Sequence, residues 1–391
     1  MYRNTYVEIN TNTLSNNIKQ IKQRYNNYQY YIGVVKANAY GHGIYIVNDL
    51  IKSGINYLAV SSLEEALAIR TYNKTIPILV LEPVSANNVD IVSASNITLT
   101  IDSYNHYQEL KQSKKPLTIH IKLNTGMNRL GIKTKDELDK ILSNKDKNIT
   151  IEGIYTHLAT TGINDYYYDL QIKNFNDFIK DIDISKIPII HVGRSVTLVN
   201  HEKLPSVNGI RLGIIMYGFN QSISIGSGIM ASIRKLKRQY RLKKYKISPS
   251  TLSNDLTLKT AFAFYTEVIS ITKVKKGEFV GYGATYIAKE DITVGILPCG
   301  YADGIDKNMK EVVINNKRYP IIGDICMDMT IIKIDNDVIL HDKVEIFGNV
   351  ISIREVSNKL NINAYRLFTS ITTRVPRVYN NNSEINKEIK Y

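Results

Sequence analysis

The strongest constraint on the fold is a series of eight short apolar segments in the first half of the chain, separated by segments with helical periodicity. Each apolar segment has the length and composition of a strand buried on both faces. The pattern predicts strands at Tyr30–Val35, Tyr57–Val60, Pro77–Leu81, Ile97–Ile101, Thr118–Leu123, Ile151–Thr156, Ile187–Val192 and Val207–Leu212. It predicts helices at Thr13–Tyr25, Ser62–Arg70, Tyr166–Lys180 and Ser195–Lys203. This alternation favours a (β/α)8 TIM-like barrel over a doubly wound open sheet.

The second half of the chain has a different pattern, which is all β from Ala261 onward. Strands are predicted at Phe262–Thr272, Thr293–Leu297, Glu311–Ile314, Tyr319–Ile322, Met329–Ile334 and Lys343–Phe347, with a hairpin turn at Asn315-Asn316. The predicted fold class is therefore an α/β barrel followed by a C-terminal β domain. The expected limits are 1–222 for the barrel, 223–259 for a basic insertion or linker, and 260–391 for the β domain.

The net charge of +14 is concentrated in one place. Between Ile229 and Asn254 the chain carries eight Lys and Arg residues and no acid. We interpret this segment as a solvated surface insertion, and contact with nucleic acid or anionic lipid is the less favoured alternative. The N-terminus has no apolar signal core, and the two cysteines, Cys299 and Cys326, form no CxxC pair. These features predict a cytoplasmic protein without a structural metal.

Charged and polar side chains follow several of the predicted barrel strands. They are Lys36 after the first strand, Lys122 and Arg129 at the fifth, His157 at the sixth, Ser195 after the seventh and Arg211 in the eighth. In a barrel these strand ends meet at one rim, where barrel enzymes keep their chemistry. Buried charges are costly unless they are paired, so these groups should contact each other or an anion.

The rim also suggests a particular cofactor. A lysine at a strand end suits Schiff-base chemistry, although a lysine that merely reaches solvent is an equally ordinary interpretation of Lys36 alone. Ser195 and the backbone amides of Gly213 and Ile214 could cradle a phosphate. A Schiff-base lysine together with a phosphate cradle points to pyridoxal phosphate.

The segment Val34–Gly43, with the sequence VVKANAYGHG, resembles the cofactor-lysine signature of bacterial alanine racemases, which are fold-type III pyridoxal phosphate enzymes. The resemblance continues in order through most of the chain, at Lys122–Gly131, Glu152–Ala159, His191–Ser195, Ile210–Gly218, Gly281–Tyr286, Gly300–Gly304, Gly323–Met329 and Arg374–Tyr379. It implies a barrel with a C-terminal β domain and a head-to-tail homodimer whose active sites are shared between subunits.

The resemblance also implies a catalytic set. Lys36 would hold the cofactor and act as one base, and Tyr282 of the partner subunit would be the base on the opposite face. Two bases on opposite faces are what racemisation needs. His157 would hydrogen bond Tyr282 and would itself be oriented by Arg211, which would face the pyridine nitrogen.

Further residues are assigned by the same resemblance. Arg129 would hold the cofactor phenolate and the substrate carboxylate, and Lys122 matches a lysine that is often carbamylated to position that arginine. Tyr301 and Met327 match the substrate-entry side. The residues that match phosphate contacts are Tyr40, Ser195, Gly213, Ile214 and Tyr365.

Several features depart from the family pattern. Arg194 stands where asparagine is common, and Asn124 and Asn128 replace the usual aspartate and glycine. The basic insertion is longer than the family's connection. The resemblance implies a racemase that interconverts L- and D-alanine and supplies D-alanine for peptidoglycan. The alternatives are a serine or broad-specificity racemase, or a non-catalytic pyridoxal phosphate-binding protein. Substrate breadth and the effect of Arg194 stay open.

Overall fold

The computed structural model describes residues 3–160, 166–219, 229–244, 256–381 and 385–389. The chain separates into two compact units. The first, the barrel unit, is formed by Ser15–Ala37 and Ile44–Lys259. The second, the β unit, is formed by Met1–Leu14, Asn38–Gly43 and Thr260–Tyr391. The limits 1–222, 223–259 and 260–391 stay a prediction, and much of the basic insertion lies outside the described residues.

The barrel unit is built on a closed parallel barrel, which confirms the predicted fold class. The first nine strands are β1 (Tyr6–Asn10), β2 (Tyr30–Val34), β3 (Tyr57–Val60), β4 (Ile78–Val80), β5 (Thr98–Ile101), β6 (Leu117–Leu123), β7 (Ile149–Thr156), β8 (Ile189–His191) and β9 (Gly209–Leu212). Strands β2 to β9 close the barrel in sequence order, with β9 pairing back to β2. All eight predicted barrel strands are therefore present. Apolar side chains such as Ile32, Leu58 and Leu79 are fully buried along them.

Helices follow most of the barrel strands. They are α1 (Thr11–Arg24), α2 (Lys36–Tyr40), α3 (Val47–Lys52), α4 (Leu63–Tyr72), α5 (Val89–Ala94), α6 (Tyr104–Lys111), α7 (Lys135–Ser143), α8 (Tyr167–Ile179), α9 (Ser195–Asn200) and α10 (Ile229–Lys244). Side-chain caps begin several of them: Ser62 accepts from the Glu65 amide and Thr134 from the Glu137 amide. Helix α1 begins at Thr11, two residues before the predicted start, and Asn10 caps it by accepting from the Thr13 amide.

Besides β1, the β unit contains the remaining strands and two helices. They are β10 (Phe262–Glu267), β11 (Ser270–Val274), β12 (Phe279–Val280), β13 (Tyr286–Ile287), β14 (Ile292–Leu297), β15 (Glu311–Ile314), β16 (Lys317–Pro320), β17 (Thr330–Ile334), β18 (Lys343–Phe347), α11 (Ile353–Leu360), α12 (Ala364–Ser370), β19 (Arg377–Asn380) and β20 (Ile385–Ile389). A seven-stranded sheet has the order β16-β15-β18-β10-β1-β19-β20, and smaller sheets are β11-β14-β17 and β12-β13.

Some elements differ from the sequence predictions. Strand β1 was not predicted, yet it lies inside the large sheet between β10 and β19, with Val7 and Ile9 fully buried. The predicted strand Phe262–Thr272 is two strands that belong to different sheets. Helix α10 forms in the basic segment, where no helix was predicted. The hairpin prediction is confirmed, since β15 pairs with β16 and both turn asparagines have positive φ.

Short 3₁₀ turns complete the described elements, at Ile44–Ile46, Ala86–Asn88, Ile184–Lys186, Tyr282–Ala284 and Tyr301–Asp303. Among the helices of the described ranges, none has both the length and the apolar character needed to cross a bilayer.

Candidate active site

Lys36 lies just beyond the carboxyl end of β2 and begins an unusual turn. The next four residues, Ala37–Tyr40, all have φ between 50° and 53°, so α2 is left-handed. This conformation costs about 1–2 kcal/mol for each non-glycine residue. Strain of this kind persists only where the surrounding contacts impose it, and it is concentrated at functional sites.

Two charged side chains, one in each unit, hold the backbone of this turn. In the barrel unit, Glu65 accepts from the amide of Ala37 at 2.6 Å and from the amide of Ser61 at 2.8 Å. In the β unit, the buried guanidinium of Arg377 donates to the carbonyl of Gly41 at 3.0 Å. Glu65 is a positioning residue that the sequence analysis missed. The signal for it was a carboxylate in the first turn of the helix after β3.

Arg211, on β9, is buried and held by acceptors on neighbouring strands. Its Nη1 donates to Nδ1 of His191 at 2.6 Å, and its Nη2 donates to the carbonyls of Thr156 at 2.7 Å and Val192 at 3.1 Å. Burial lowers the pKa of this arginine to about 10. The side chain is therefore fixed in one orientation as a desolvated cation.

A chain of buried hydrogen bonds runs from Arg211 through the barrel interior. His191 Nε2 lies 2.9 Å from His120 Nδ1, and His120 Nε2 lies 3.0 Å from Glu152. Burial lowers the pKa of both histidines, so both are neutral. Because Arg211 has no acceptor, each histidine accepts at Nδ1 and donates at Nε2, and the chain ends on a carboxylate.

Glu152 is the anionic end of this chain. Burial opposes its ionisation, but hydrogen bonds from His120 and from the Tyr57 hydroxyl, at 2.7 Å, lower its pKa. These residues lie in predicted strands, but no role was predicted for any of them. Their partners come from separate strands, and pairing across a barrel interior is not visible in local sequence.

His157 lies next to Arg211 in the barrel unit. Its Nδ1 is 3.4 Å from Nη2 of Arg211, so the predicted contact between the two residues is present. Burial, and then the charges of Arg211 and Arg194, hold the pKa of His157 well below its usual range. The imidazole is therefore neutral, with its Nε2–H available to another acceptor.

Lys122 on β6 is buried close to other cations. Burial, followed by the charges of Arg129 and Arg211, lowers its pKa to about 8. Its ammonium lies 5.6 Å from the ring centroid of Tyr155, and Arg211 lies 5.2 Å from the same ring. Arg129 itself is exposed. Lys122 and Arg129 were expected to interact, and the charge of Arg129 does lower the pKa of Lys122.

The proposed phosphate contacts are divided between the two units. In the barrel unit the hydroxyl of Ser195, the first residue of α9, accepts from the amide of Gly213 at 3.0 Å, and Ile214 is fully buried beside it. In the β unit the rings of Tyr40 and Tyr365 lie 5.6 Å apart. Within each unit, the predicted phosphate contacts that belong to it therefore lie close together.

The remaining predicted residues lie on loops of the β unit. Tyr282 is 74% exposed and sits between Gly281 and Gly283, both of which have positive φ. Tyr301 and Met327 are also exposed, and the amide of Tyr301 donates to the carbonyl of Cys326 at 3.0 Å.

Two ion pairs and a hydrogen bond from a backbone amide hold these loops in place. Asp303, fully buried, accepts from Arg3 at 2.7 Å and from the amide of Gly300 at 3.0 Å. Arg374 donates to Asp328 at 2.7 Å. These contacts hold Tyr301 and Met327 on neighbouring loops and leave their side chains accessible.

The barrel rim thus presents a cluster of cations with few acids. Lys36, Arg129 and Arg211 all lower the pKa of Lys122, whereas Asp102 raises it. Such a cluster suits a ligand that carries several negative groups. Pyridoxal phosphate bound to an amino acid has a phosphate, a phenolate and a carboxylate, so the residues present fit this cofactor.

Comparisons with known proteins agree with the geometry. Residues 9–221 match the model of the alanine racemase N-terminal domain, and residues 261–379 match that of the C-terminal domain. This chain belongs to the alanine racemase family. Its enzyme class is that of an isomerase which racemises an amino acid.

Individual relatives match along their full length. Alanine racemase of Anoxybacillus flavithermus is 32% identical, with 98% of this chain and 97% of the relative covered. Alanine racemase 1 of Bacillus subtilis is 31% identical over 98% of this chain and 95% of the relative.

Solved structures show the same architecture. Alanine racemase from Bacillus anthracis with bound L-Ala-P has a TM-score of 0.86 and 28% identity, covering 100% of this chain and 98% of that one. A histidine racemase from Leuconostoc mesenteroides has a TM-score of 0.81 at 22% identity, which shows a shared fold alone.

Proposed function

We propose that this chain interconverts L- and D-alanine with pyridoxal phosphate as its cofactor, as a homodimer whose subunits share each active site. The observation that carries the proposal is the cationic rim around Lys36, in which Arg211 is fixed and Lys122 has a pKa of about 8. The full-length relatives are alanine racemases, which favours alanine over serine or broader substrates.

The cofactor, when bound through Lys36, supplies an electron sink that acidifies the Cα–H of an amino acid. Lys36 removes or returns the proton on one face of Cα. Tyr282 of the partner subunit does so on the other face, as its exposed position on a loop of the β unit allows. Exchange of the proton between two opposite faces inverts the configuration.

Arg211 is the partner of the pyridine nitrogen. At neutral pH this arginine would be charged and could only donate, so it would leave the pyridine nitrogen unprotonated and would moderate the electron sink that the cofactor supplies. The hydrogen-bond chain to Glu152 supports the cation at a site where burial disfavours it. Arg211 thus limits side reactions that a stronger sink would permit.

His157 assists Tyr282. Because its Nδ1 accepts from Arg211, its proton is on Nε2, where it can be donated to the phenolate oxygen of the partner's Tyr282. A neutral imidazole donates this hydrogen bond without giving up its proton.

Lys122 and Arg129 form the substrate-carboxylate side, together with Tyr301 and Met327 of the partner subunit. We propose that Lys122 is carbamylated. The carbamate replaces a cation by an anion, which pairs with Arg129 and holds it in place for the carboxylate. Tyr40, Ser195, Gly213, Ile214 and Tyr365 hold the phosphate.

The test is incubation of the purified protein with pyridoxal phosphate and L-alanine while optical rotation is followed. We expect decay to zero from L-alanine and the same endpoint from D-alanine. Lys36→Ala should abolish both the decay and the visible absorbance of cofactor retained after dialysis. Decay with serine but not alanine would move the assignment to a serine racemase, and retained cofactor without any racemisation would favour a binding protein.

The biological role follows from the product. D-alanine is consumed by reactions that build peptidoglycan, and we propose this as its use. Both cysteines are free thiols, which fits the reducing conditions of the cytoplasm that we propose as its location.

A further inference from the structure

We propose that α10 is a docking helix for an anionic lipid surface. Its contact face is formed by Ile233, Leu236 and Tyr240, and lysines beside this face meet lipid headgroups. The inference does not depend on the racemase reaction, and different residues carry it.

One side of α10 is attached to the barrel unit. Arg238 pairs with the buried carboxylate of Asp169 at 2.9 Å, and Leu242 is buried. Arg241 lies 4.8 Å from the ring centroid of Tyr166. The helix is thus held to the barrel by an ion pair and a cation–π contact along the side on which Leu242 is buried.

The opposite side of α10 exposes large apolar residues. Ile233, Leu236 and Tyr240 are 40%, 64% and 68% exposed. Their spacing of three and four residues places them on one face of a helix. At about 100° per residue, this face is centred nearly opposite Arg238 and Leu242. The helix therefore presents an apolar stripe directly away from its attachment.

The positive charges beside the stripe indicate which kind of surface it would contact. Lys237 and Lys243 are exposed and lie on either side of the stripe, and the segment from Ile229 to Asn254 contains eight cations and no acid. A basic helix with an apolar face is typical of elements that lie in the headgroup region of a bilayer. Nucleic acid would be met by the cations and by Tyr240, but it would leave Ile233 and Leu236 without a role. The combination favours an anionic membrane.

The position of α10 in the sequence makes this contact separable from catalysis. Residues 222–260 lie between the two family models and are matched by neither. None of the residues assigned to the active site lies in this segment. Variants of α10 should therefore bind lipid differently while racemising alanine as before.

The chain contains no tryptophan, which allows a direct experiment. The Leu236→Trp holoenzyme is mixed with vesicles of phosphatidylcholine alone, or of phosphatidylcholine and phosphatidylglycerol in equal amounts. We expect a blue shift of emission with the anionic vesicles, weakening as salt is added. Ile91→Trp, at an exposed position on α5, is the matched reporter and should not shift.

Two variants of the otherwise natural chain separate the contributions in vesicle co-sedimentation. A triple change of Ile233, Leu236 and Tyr240 to Ser leaves the charge unchanged and should weaken binding at least tenfold. The double variant Lys237→Gln with Lys243→Gln should lose the preference for anionic vesicles.

The matched charge control changes two exposed lysines elsewhere on the barrel unit, Lys74→Gln with Lys114→Gln, and should bind as the wild type does. Unchanged binding by the triple Ser variant would overturn the proposal. So would binding to single-stranded RNA in place of vesicles, which would identify α10 as a nucleic-acid contact. Racemase activity verifies that each variant is folded.

Discussion

Arg211 is a buried cation whose nearest anion, along its hydrogen-bond chain, lies beyond two neutral histidines. The chain from Arg211 through His191 and His120 to Glu152 has a single direction of donation, because an arginine cannot accept and a carboxylate cannot donate. Hydrogen bonds in such chains polarise one another in a low dielectric. The carboxylate therefore supports the charge of Arg211 from a distance.

This arrangement predicts the behaviour of Glu152→Gln. Loss of the anion removes support for the cation, so the pKa of Arg211, about 10 in the natural chain, should fall further. We expect the alkaline limb of the kcat profile to move to lower pH by about one unit. We also expect kcat to fall about tenfold, or ~1.4 kcal/mol in the barrier, with little change in KM.

Tyr57→Phe is the control for Glu152→Gln. It removes a hydrogen bond to the carboxylate but keeps the negative charge. Its alkaline limb should stay near that of the wild type. If Glu152→Gln also left the limb in place, Glu152 would have only a structural role.

Lys122 also has a strongly lowered pKa, which leads to a second prediction. A lysine reacts with carbon dioxide only as the neutral amine. With a pKa of about 8 instead of 10.5, the neutral fraction at pH 7 rises roughly 300-fold. We expect a carbamate signal when the protein is equilibrated with ¹³C-bicarbonate and observed by ¹³C NMR, and its loss on acidification.

Two variants determine which lysine carries the carbamate. Lys122→Arg should lack the carbamate, whereas Lys133→Arg, at a nearby exposed position, should retain it. A signal that survives in Lys122→Arg would place the modification on another lysine.

At the scale of elements, the left-handed turn after β2 is the most unusual feature. Ala37 is exposed and has φ of 50°, so replacing it by glycine relieves strain without opening a cavity. We expect Ala37→Gly to stabilise the protein by about 0.5–1 kcal/mol, the strain relieved less the entropy cost of glycine. Ala68→Gly, inside the right-handed α4, should instead destabilise it by about 1 kcal/mol.

Urea unfolding of the two variants under identical conditions provides the measurement. Opposite signs would establish that the turn is left-handed in solution. Destabilisation by both variants would show that Ala37 adopts a right-handed conformation.

Many of the strands and one hairpin could be predicted from the sequence. The barrel strands were located because strands buried on both faces form continuous apolar runs, and the β15–β16 hairpin because Asn315-Asn316 tolerates positive φ. Strand β1 was missed because its five residues gain their burial from strands more than 250 residues away. The stripe of α10 was missed because cations separate its apolar residues.

The candidate site was predictable to a similar extent. Strand-end positions indicated Lys36, His157, Ser195 and Arg211, and the family resemblance indicated Tyr282. The roles of Glu65 and Glu152 depend on hydrogen bonds between different strands and helices. No local pattern carries that information, so only the three-dimensional structure revealed them.

At the scale of the whole molecule, the proposed homodimer makes a quantitative prediction. Lys36→Ala and Tyr282→Ala should each be inactive alone. If each active site combines Lys36 of one subunit with Tyr282 of its partner, then a dimer containing one subunit of each variant has one intact site out of two. Random pairing in a two-fold symmetric dimer makes half of the dimers mixed, so about a quarter of wild-type activity should return.

Co-refolding or co-expression of the two variants with different affinity tags tests this complementation, and purification through both tags isolates the mixed dimer. That species should have about half of the wild-type kcat per dimer, with an unchanged KM. If Lys36 and Tyr282 instead acted within one chain, every site in the mixture would lack one base, and no activity would return at any ratio. The measurement therefore distinguishes a shared active site from one contained in a single chain.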